Sequence, residues 1–330
     1  MALNIEYLRT KLLITLLRLI SWITDILPAH RDRLHSQNSY NNHTRQRIRI
    51  PSRDKHRSIK ADLYLPATPN QTLANSQAVL LNWHGSGFIF PALGSDALFC
   101  ARVACETGVA VLDADYRKAP ETPFPGAVED VEDVLRWAAD TTTTMKQPKG
   151  AKMIVSGFSS GANLALVAGS AVRKTVFLQE ESRQKLAAVL AFYPIVDMTL
   201  APEAKRAPRG GEDSGGSAAP PHIARMFKAC YLPDPGTYTD VRASPGLADA
   251  VDFPSTVAIV TCDGDKLAPE AMALAEKLKM DNRKKVVGEM VRGVAHGFDK
   301  GTEKGSIEWQ RREEMYALAV RTIKEVLRDD

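Results

Sequence analysis

The sequence predicts an α/β protein, a largely parallel central sheet flanked by helices. Three observations predict it. Short apolar runs at 78–83, 109–114, 153–155, 187–193 and 256–262 have the length and the Val, Ile, Leu and Ala content of strands buried on both faces. Helical stretches stand between them or after them, at 126–139, from Ala162 to Ala171 and at 307–328, and crossovers of that length join parallel strands. One strand, ending near Val155, runs straight into Gly157-Phe158-Ser159-Ser160-Gly161 and then a small-residue helix. A Gly-x-Ser-x-Gly turn between a strand and a helix holds its serine in strained backbone, with glycines where neighbouring chain passes close.

At 330 residues, the chain can bury one large core, or one core with an inserted subdomain. Its 43 basic and 39 acidic side chains leave a net charge of +4, too balanced for a nucleic-acid footprint. The four cysteines (Cys100, Cys105, Cys230, Cys262) have no Cys-x-x-Cys spacing and are expected as free, buried thiols, which points to a cytoplasmic protein. No His/Cys grouping has metal-ligand spacing, so neither a metal nor a cofactor is expected. Oligomeric state has no signature in the sequence.

Residues 3–27 are mostly Leu, Ile and Trp, with Asn4, Lys11, Thr15, Arg18, Ser21 and Asp25 on one narrow stripe of a helix. The central Arg18 argues against a membrane-spanning role. The apolar arc is expected to pack over the protein's own pocket as a lid; contact with a membrane surface, peripheral to the bilayer, is the alternative. Residues 28–43 form a polar linker. The segments 45–50 and 58–65, alternating on either side of a polar turn, predict a β-hairpin whose arginines lie on the solvated face of an edge strand. Gly126 to Ala139 is an amphipathic helix, 141–147 a polar connector and 209–217 a loop without apolar content. Residues 221–231 form a short helix, and 307–328 the closing one.

The strand 78–83 leads into His84-Gly85-Ser86-Gly87-Phe88-Ile89-Phe90. A glycine-rich turn at a strand's C-terminal end exposes backbone N–H groups where open α/β sheets bind ligands. Together, HGSGF at 84–88, DYRKAPETPFPGAVED at 115–130 and GFSSGANLA at 157–165 resemble the hormone-sensitive-lipase family of α/β-hydrolases, with matching spacing from residue 84 to the C-terminus. Family members more usually carry three glycines after the histidine and an acidic-Ser-Ala-Gly-Gly elbow; this chain has Ser86, Phe158, Ser160 and Ala162 there. Those departures bear on substrate preference more than on fold. The resemblance implies an α/β-hydrolase fold with a helical cap made by the N-terminus (1–43) and an insertion (198–240), the core being 44–197 and 241–330. It also implies that Asp115, Tyr116 and Arg117 are structural.

In such a fold the triad follows the order Ser, Asp, His. After the strand 256–262, Asp263 and Asp265 compete, and the resemblance aligns Asp265 with the acid. His296, between glycines after the strand 286–291, is the base. The expected activity is serine-dependent cleavage of carboxylic esters, through an acyl-enzyme at Ser159. Backbone N–H groups in the stretch Gly85, Ser86 and Gly87, with that of Ser160, are the expected oxyanion donors. Phe88, Ile89 and Phe90 are expected to contact small to medium apolar acyl groups. Two alternatives differ in class: a lyase or cyclase using the same triad, and a non-catalytic receptor, whose relatives lose the histidine that stands here as His296.

Overall fold

The computed structural model describes residues 8–20, 40, 42–66, 78–140, 151–178, 186–210 and 219–328. Eight strands form one sheet: β1 (His43–Pro51), β2 (Ser58–Pro66), β3 (Ala78–Trp83), β4 (Ala110–Ala114), β5 (Lys152–Phe158), β6 (Leu186–Phe192), β7 (Thr256–Cys262) and β8 (Lys285–Val291). Their order is β1-β2-β4-β3-β5-β6-β7-β8. The β1–β2 and β2–β4 pairs are antiparallel and every later pair is parallel. Adjacent residues of the central strands serve opposite cores: Val79 and Leu81 belong to one, Leu80 to the other. That is why these strands read as unbroken apolar runs.

The helices are α1 (8–20), α2 (Ala97–Thr107), α3 (Gly126–Ala139), α4 (Ser160–Val167, running on through a π-helical turn Ala168–Val172 and a last turn Arg173–Val176), α5 (Pro221–Tyr231), α6 (Ala268–Lys279) and α7 (Ile307–Arg328). Buried faces of α3, α4 and α6 fill one side of the sheet; α2 and α7 fill the other. Hairpin, α3, α5 and α7 lie where the sequence predicts them. The hairpin docks on α3: Arg53 donates to Asp133 at 2.8 Å, Arg57 pairs with Asp130, and Arg117 clasps Asp130 at 3.0 Å and Asp54 at 3.0 Å. Two of the edge-strand arginines, Arg45 and Arg47, converge on the buried Asp62 of the facing strand.

Helix α2 has no counterpart in the sequence reading. Ala97 to Ala101, Val103 and Ala104 are all buried, so the first turns are apolar on every side and only Arg102 and Glu106, late in the segment, mark a helical period. Its stop is legible: Gly108, at φ 71°, returns its N–H to Ala104 O at 3.1 Å, a left-handed cap that glycine adopts without strain.

Helix α1 turns outward most of the apolar residues expected to pack inward. Ile14 is wholly buried and Leu17 half-buried, but Leu8, Leu12, Leu13, Leu16, Leu19 and Ile20 all face solvent. Arg18 of the polar stripe joins Ile14 and Leu17 in the contact with the body. Arg18 donates from Nε to Ile89 O at 3.0 Å and from Nη2 to Ala119 O at 2.7 Å, and pairs with Glu121 at 2.9 Å. Carbonyls left unpaired by the two loops would be costly to bury, and a guanidinium with several donors satisfies both. The rest of 3–27, the linker through 39, and the loops at 70–77, 141–147 and 211–217 lie outside the described residues.

Candidate active site

Ser159 occupies the turn between β5 and α4 with φ 54° and ψ −117°, a conformation costly for any residue with a Cβ. The flanking glycines explain themselves by close approach. A Cβ on Gly157 would lie 2.2 Å from Gly161 O, and one on Gly161 would lie 1.9 Å from Trp83 O. The turn is pinned from the neighbouring strand by Ser159 N–H donating to Phe192 O at 2.9 Å.

His296 Nε2 stands 2.8 Å from Ser159 Oγ, and its Nδ1 stands 2.7 Å from Asp265 Oδ2. Asp265 is fully buried, and its other oxygen accepts the Leu267 N–H at 2.9 Å. Both carboxylate oxygens are thereby aimed. Asp263 turns elsewhere: it accepts the Gly293 N–H at 3.0 Å, with Arg209 at 3.7 Å. Burial by itself would lower the pKa of His296; the charge and hydrogen bond of Asp265, with Asp299 beyond, outweigh it and hold the imidazole above its ordinary value.

The imidazole has a support that sequence reasoning missed. Tyr193 meets His296 edge-on, with centroids 4.8 Å apart, from a backbone at φ 41°. Its hydroxyl donates to Asp299 at 2.5 Å, as Tyr316 does at 2.8 Å, and Lys300 bridges Asp299 to Asp96 at 2.8 Å each. Tyr193 follows its strand directly, so its position was visible; its partner, from a loop far along the chain, was not.

The oxyanion loop departs from expectation in one donor. The Ser86 N–H points to Ser160 Oγ, 2.8 Å away, and not into open space beside Ser159. Among the described residues, the N–H groups of Gly87 and Ser160 make no hydrogen bond. Gly85 is needed for proximity, since a Cβ there would lie 3.3 Å from Ser159 Cβ. Gly87 and Phe88 both have positive φ, 58° and 62°, where the chain turns against Phe227 of α5. Of the three residues expected to meet substrate, Phe88 is buried face to face on Tyr231, with centroids 3.7 Å apart. Ile89 is wholly buried in the core, so its side chain packs the fold and its carbonyl holds Arg18. Phe90 is part-exposed, edge-on to Phe227 at 5.5 Å.

His84 is held in a structural place, with Nε2 3.2 Å from Asp115 and Nδ1 3.0 Å from Gly85 O. Arg117 likewise ties α3 to the hairpin. Tyr116 does more than the resemblance implies, because its hydroxyl lies 2.7 Å from Ser86 Oγ and 3.1 Å from Ser160 Oγ. Among the described residues no group of three or more His, Cys, Asp or Glu side chains gathers as a metal site. Nor is any described helix long and apolar enough to cross a membrane.

A serine in an elbow, a histidine on its hydroxyl and a carboxylate behind the histidine, on a sheet of this order, define a class, and the chain belongs to it. It is a member of the family described as the alpha/beta hydrolase fold, matched over residues 80–300. Ethyl acetate hydrolase of Pseudomonas putida is 26% identical over 254 residues, 76% of this chain and 74% of that one. A thermophilic, thermostable carboxylesterase cloned from a metagenomic library superposes with a TM-score of 0.72 at 26% identity, covering 92% of this chain and 96% of that one. Vibralactone cyclase superposes with a TM-score of 0.79 at 19% identity, over 95% and 90% of the two chains, a likeness of fold alone.

Proposed function

We propose that the chain is a carboxylic ester hydrolase working through an acyl-enzyme. The observation that carries this is the unbroken line from Ser159 Oγ through His296 to Asp265, at 2.8 and 2.7 Å. Ser159 Oγ attacks the acyl carbon as His296 Nε2 takes its proton. The imidazolium keeps its Nδ1–H on Asp265 and returns the other proton to the departing alcohol. Water then repeats the two transfers and frees the acid. The His84-Gly85-Ser86-Gly87 loop and the Asp115-Tyr116-Arg117 stretch support a place among the hormone-sensitive-lipase-type members. Helix α1 and residues 198–240 form the cap in this proposal, over a pocket for small to medium apolar acyl groups. A serine-directed phosphonate should label Ser159 alone, and esters of graded acyl length should be hydrolysed. Labelling without turnover of any ester would favour cyclase or lyase chemistry.

The outward face of α1 supports contact with a lipid surface as a further part of the proposal. A helix of residues 8–20 is about 20 Å long and about 10 Å across. Its footprint is thus small beside the about 800 Å² per partner of a stable protein interface. With Arg18 engaged by Glu121 and the body, its described residues still offer Arg9 and Lys11 and no acid, which suits anionic headgroups. Replacing the exposed Leu12 and Leu16 by Glu should abolish co-sedimentation with phosphatidylserine–phosphatidylcholine vesicles and leave hydrolysis of a soluble ester unchanged. Binding that survives the replacement rules the surface out, and a concentration-dependent dimer lost on replacement assigns it to a second copy.

A further inference from the structure

Two departures from the usual family pattern, Ser86 and Ser160, lie against each other, with their hydroxyl oxygens 3.4 Å apart. Tyr116 completes a cluster whose proton directions can be worked out. The Tyr116 hydroxyl lies 2.8 Å from His84 O, which can only accept, so the phenol donates there. Ser86 Oγ at 2.7 Å and Ser160 Oγ at 3.1 Å must then be donors to the phenolic oxygen, which has room for both. Burial raises the pKa of the Tyr116 hydroxyl, so it keeps its proton. Ser160 Oγ, having spent its proton on Tyr116, is left as an acceptor, and the Ser86 N–H fills it at 2.8 Å. Every proton in the cluster has an acceptor. None is left over for the carbonyl oxygen of an ester that Ser159 would attack.

We infer that the Ser160 hydroxyl is a positioning group that holds the Ser86 N–H out of the oxyanion hole, leaving the N–H groups of Gly87 and Ser160 as its donors. An N–H directed at one oxygen cannot aim squarely at another, since hydrogen bonds weaken steeply away from linearity. The alanine usual at position 160 in the resembled family has no such acceptor. This chain therefore runs its chemistry with one donor held in reserve. The inference rests on the hydrolase reading.

Ser160→Ala removes the acceptor and keeps the Ser160 N–H. It should raise kcat on 4-nitrophenyl butyrate by about tenfold, a fraction of the ~10²–10³ that one well-placed donor is worth. KM should stay constant, and affinity for a trifluoromethyl ketone, which forms a tetrahedral adduct on Ser159, should rise by the same factor. Tyr116→Phe loosens both hydroxyls yet keeps Ser160 Oγ as acceptor, and should show no gain. An unchanged or lower kcat in Ser160→Ala, with an intact thermal melt, overturns the inference, as does an equal gain in Tyr116→Phe. A wild-type chain inert to the ester would instead overturn the hydrolase reading.

Discussion

Two arms converge on Ser159 and are built on opposite plans. The arm through His296 and Asp265 is a single file of side chains in which each polar atom has one partner. The arm through Ser86, Ser160 and Tyr116 is a closed cluster in which hydroxyls and a backbone N–H share partners. A file fails wholly when one member is lost. A cluster redistributes its protons, so a loss there can even free a donor. The difference teaches that the relay rests on residue identity and the donor side on the direction of backbone groups.

Breaking the file should give the largest effects. Ser159→Ala should abolish both turnover and phosphonate labelling, measured against an unchanged far-ultraviolet spectrum. Retained labelling would move the nucleophile to Ser160. Asp265→Asn should cut kcat by ~10⁴, as loss of the orienting carboxylate does in other triads. Asp263→Asn, whose carboxylate meets Gly293 and Arg209 and not the imidazole, should cost far less.

The pH profile sharpens the same arm. His296 must be neutral to accept a proton, and its pKa is held above 6.5 chiefly by Asp265 working against burial. Activity should therefore be full above that raised value and fall as pH drops through it, with a midpoint above 6.5. In the residual activity of Asp265→Asn the main supporting charge is gone and burial is opposed by Asp299 only, so the acid limb should move to lower pH. A limb that stays in place would show that another group controls it.

On the donor side, Gly87→Ala places a Cβ at φ 58° and 3.0 Å from Phe227. The displaced N–H should reduce kcat by up to ~10² while KM changes little, because the hole serves the tetrahedral state. A pure KM effect would remove Gly87 from the hole.

Much of this was legible beforehand because its signals are local. Ser159 announces itself through the glycines that relieve crowding at 157 and 161, and α7 through a period that separates its two faces. Two failures have a common physical cause. For α1, the pattern told where polar and apolar residues gather and could not tell which face turns inward. That was decided by two unpaired carbonyls, at Ile89 and Ala119, on loops distant in sequence. The Ser86 N–H was assigned by position along the loop, whereas its direction depends on a hydroxyl 74 residues further on. Long-range satisfaction of polar groups leaves no local pattern. The choice between Asp263 and Asp265 rested on resemblance, and the geometry separates them by which one the last loop's imidazole can reach.

The stack of Phe88 on Tyr231 ties two things that are often treated as separable parts. Tyr231 ends α5, and Phe88 adjoins Gly87, so the proposed cap and the oxyanion loop share one hydrophobic joint, reinforced by Phe227 against Gly87 and by Phe124 N–H on Tyr231 O. A cap exchanged for a relative's would carry that joint away with it. Remodelling this enzyme for new acyl groups will therefore trade rate against preference, unless the aromatic pair at 88 and 231 is kept as a fixed seam and diversity is confined to the residues around it.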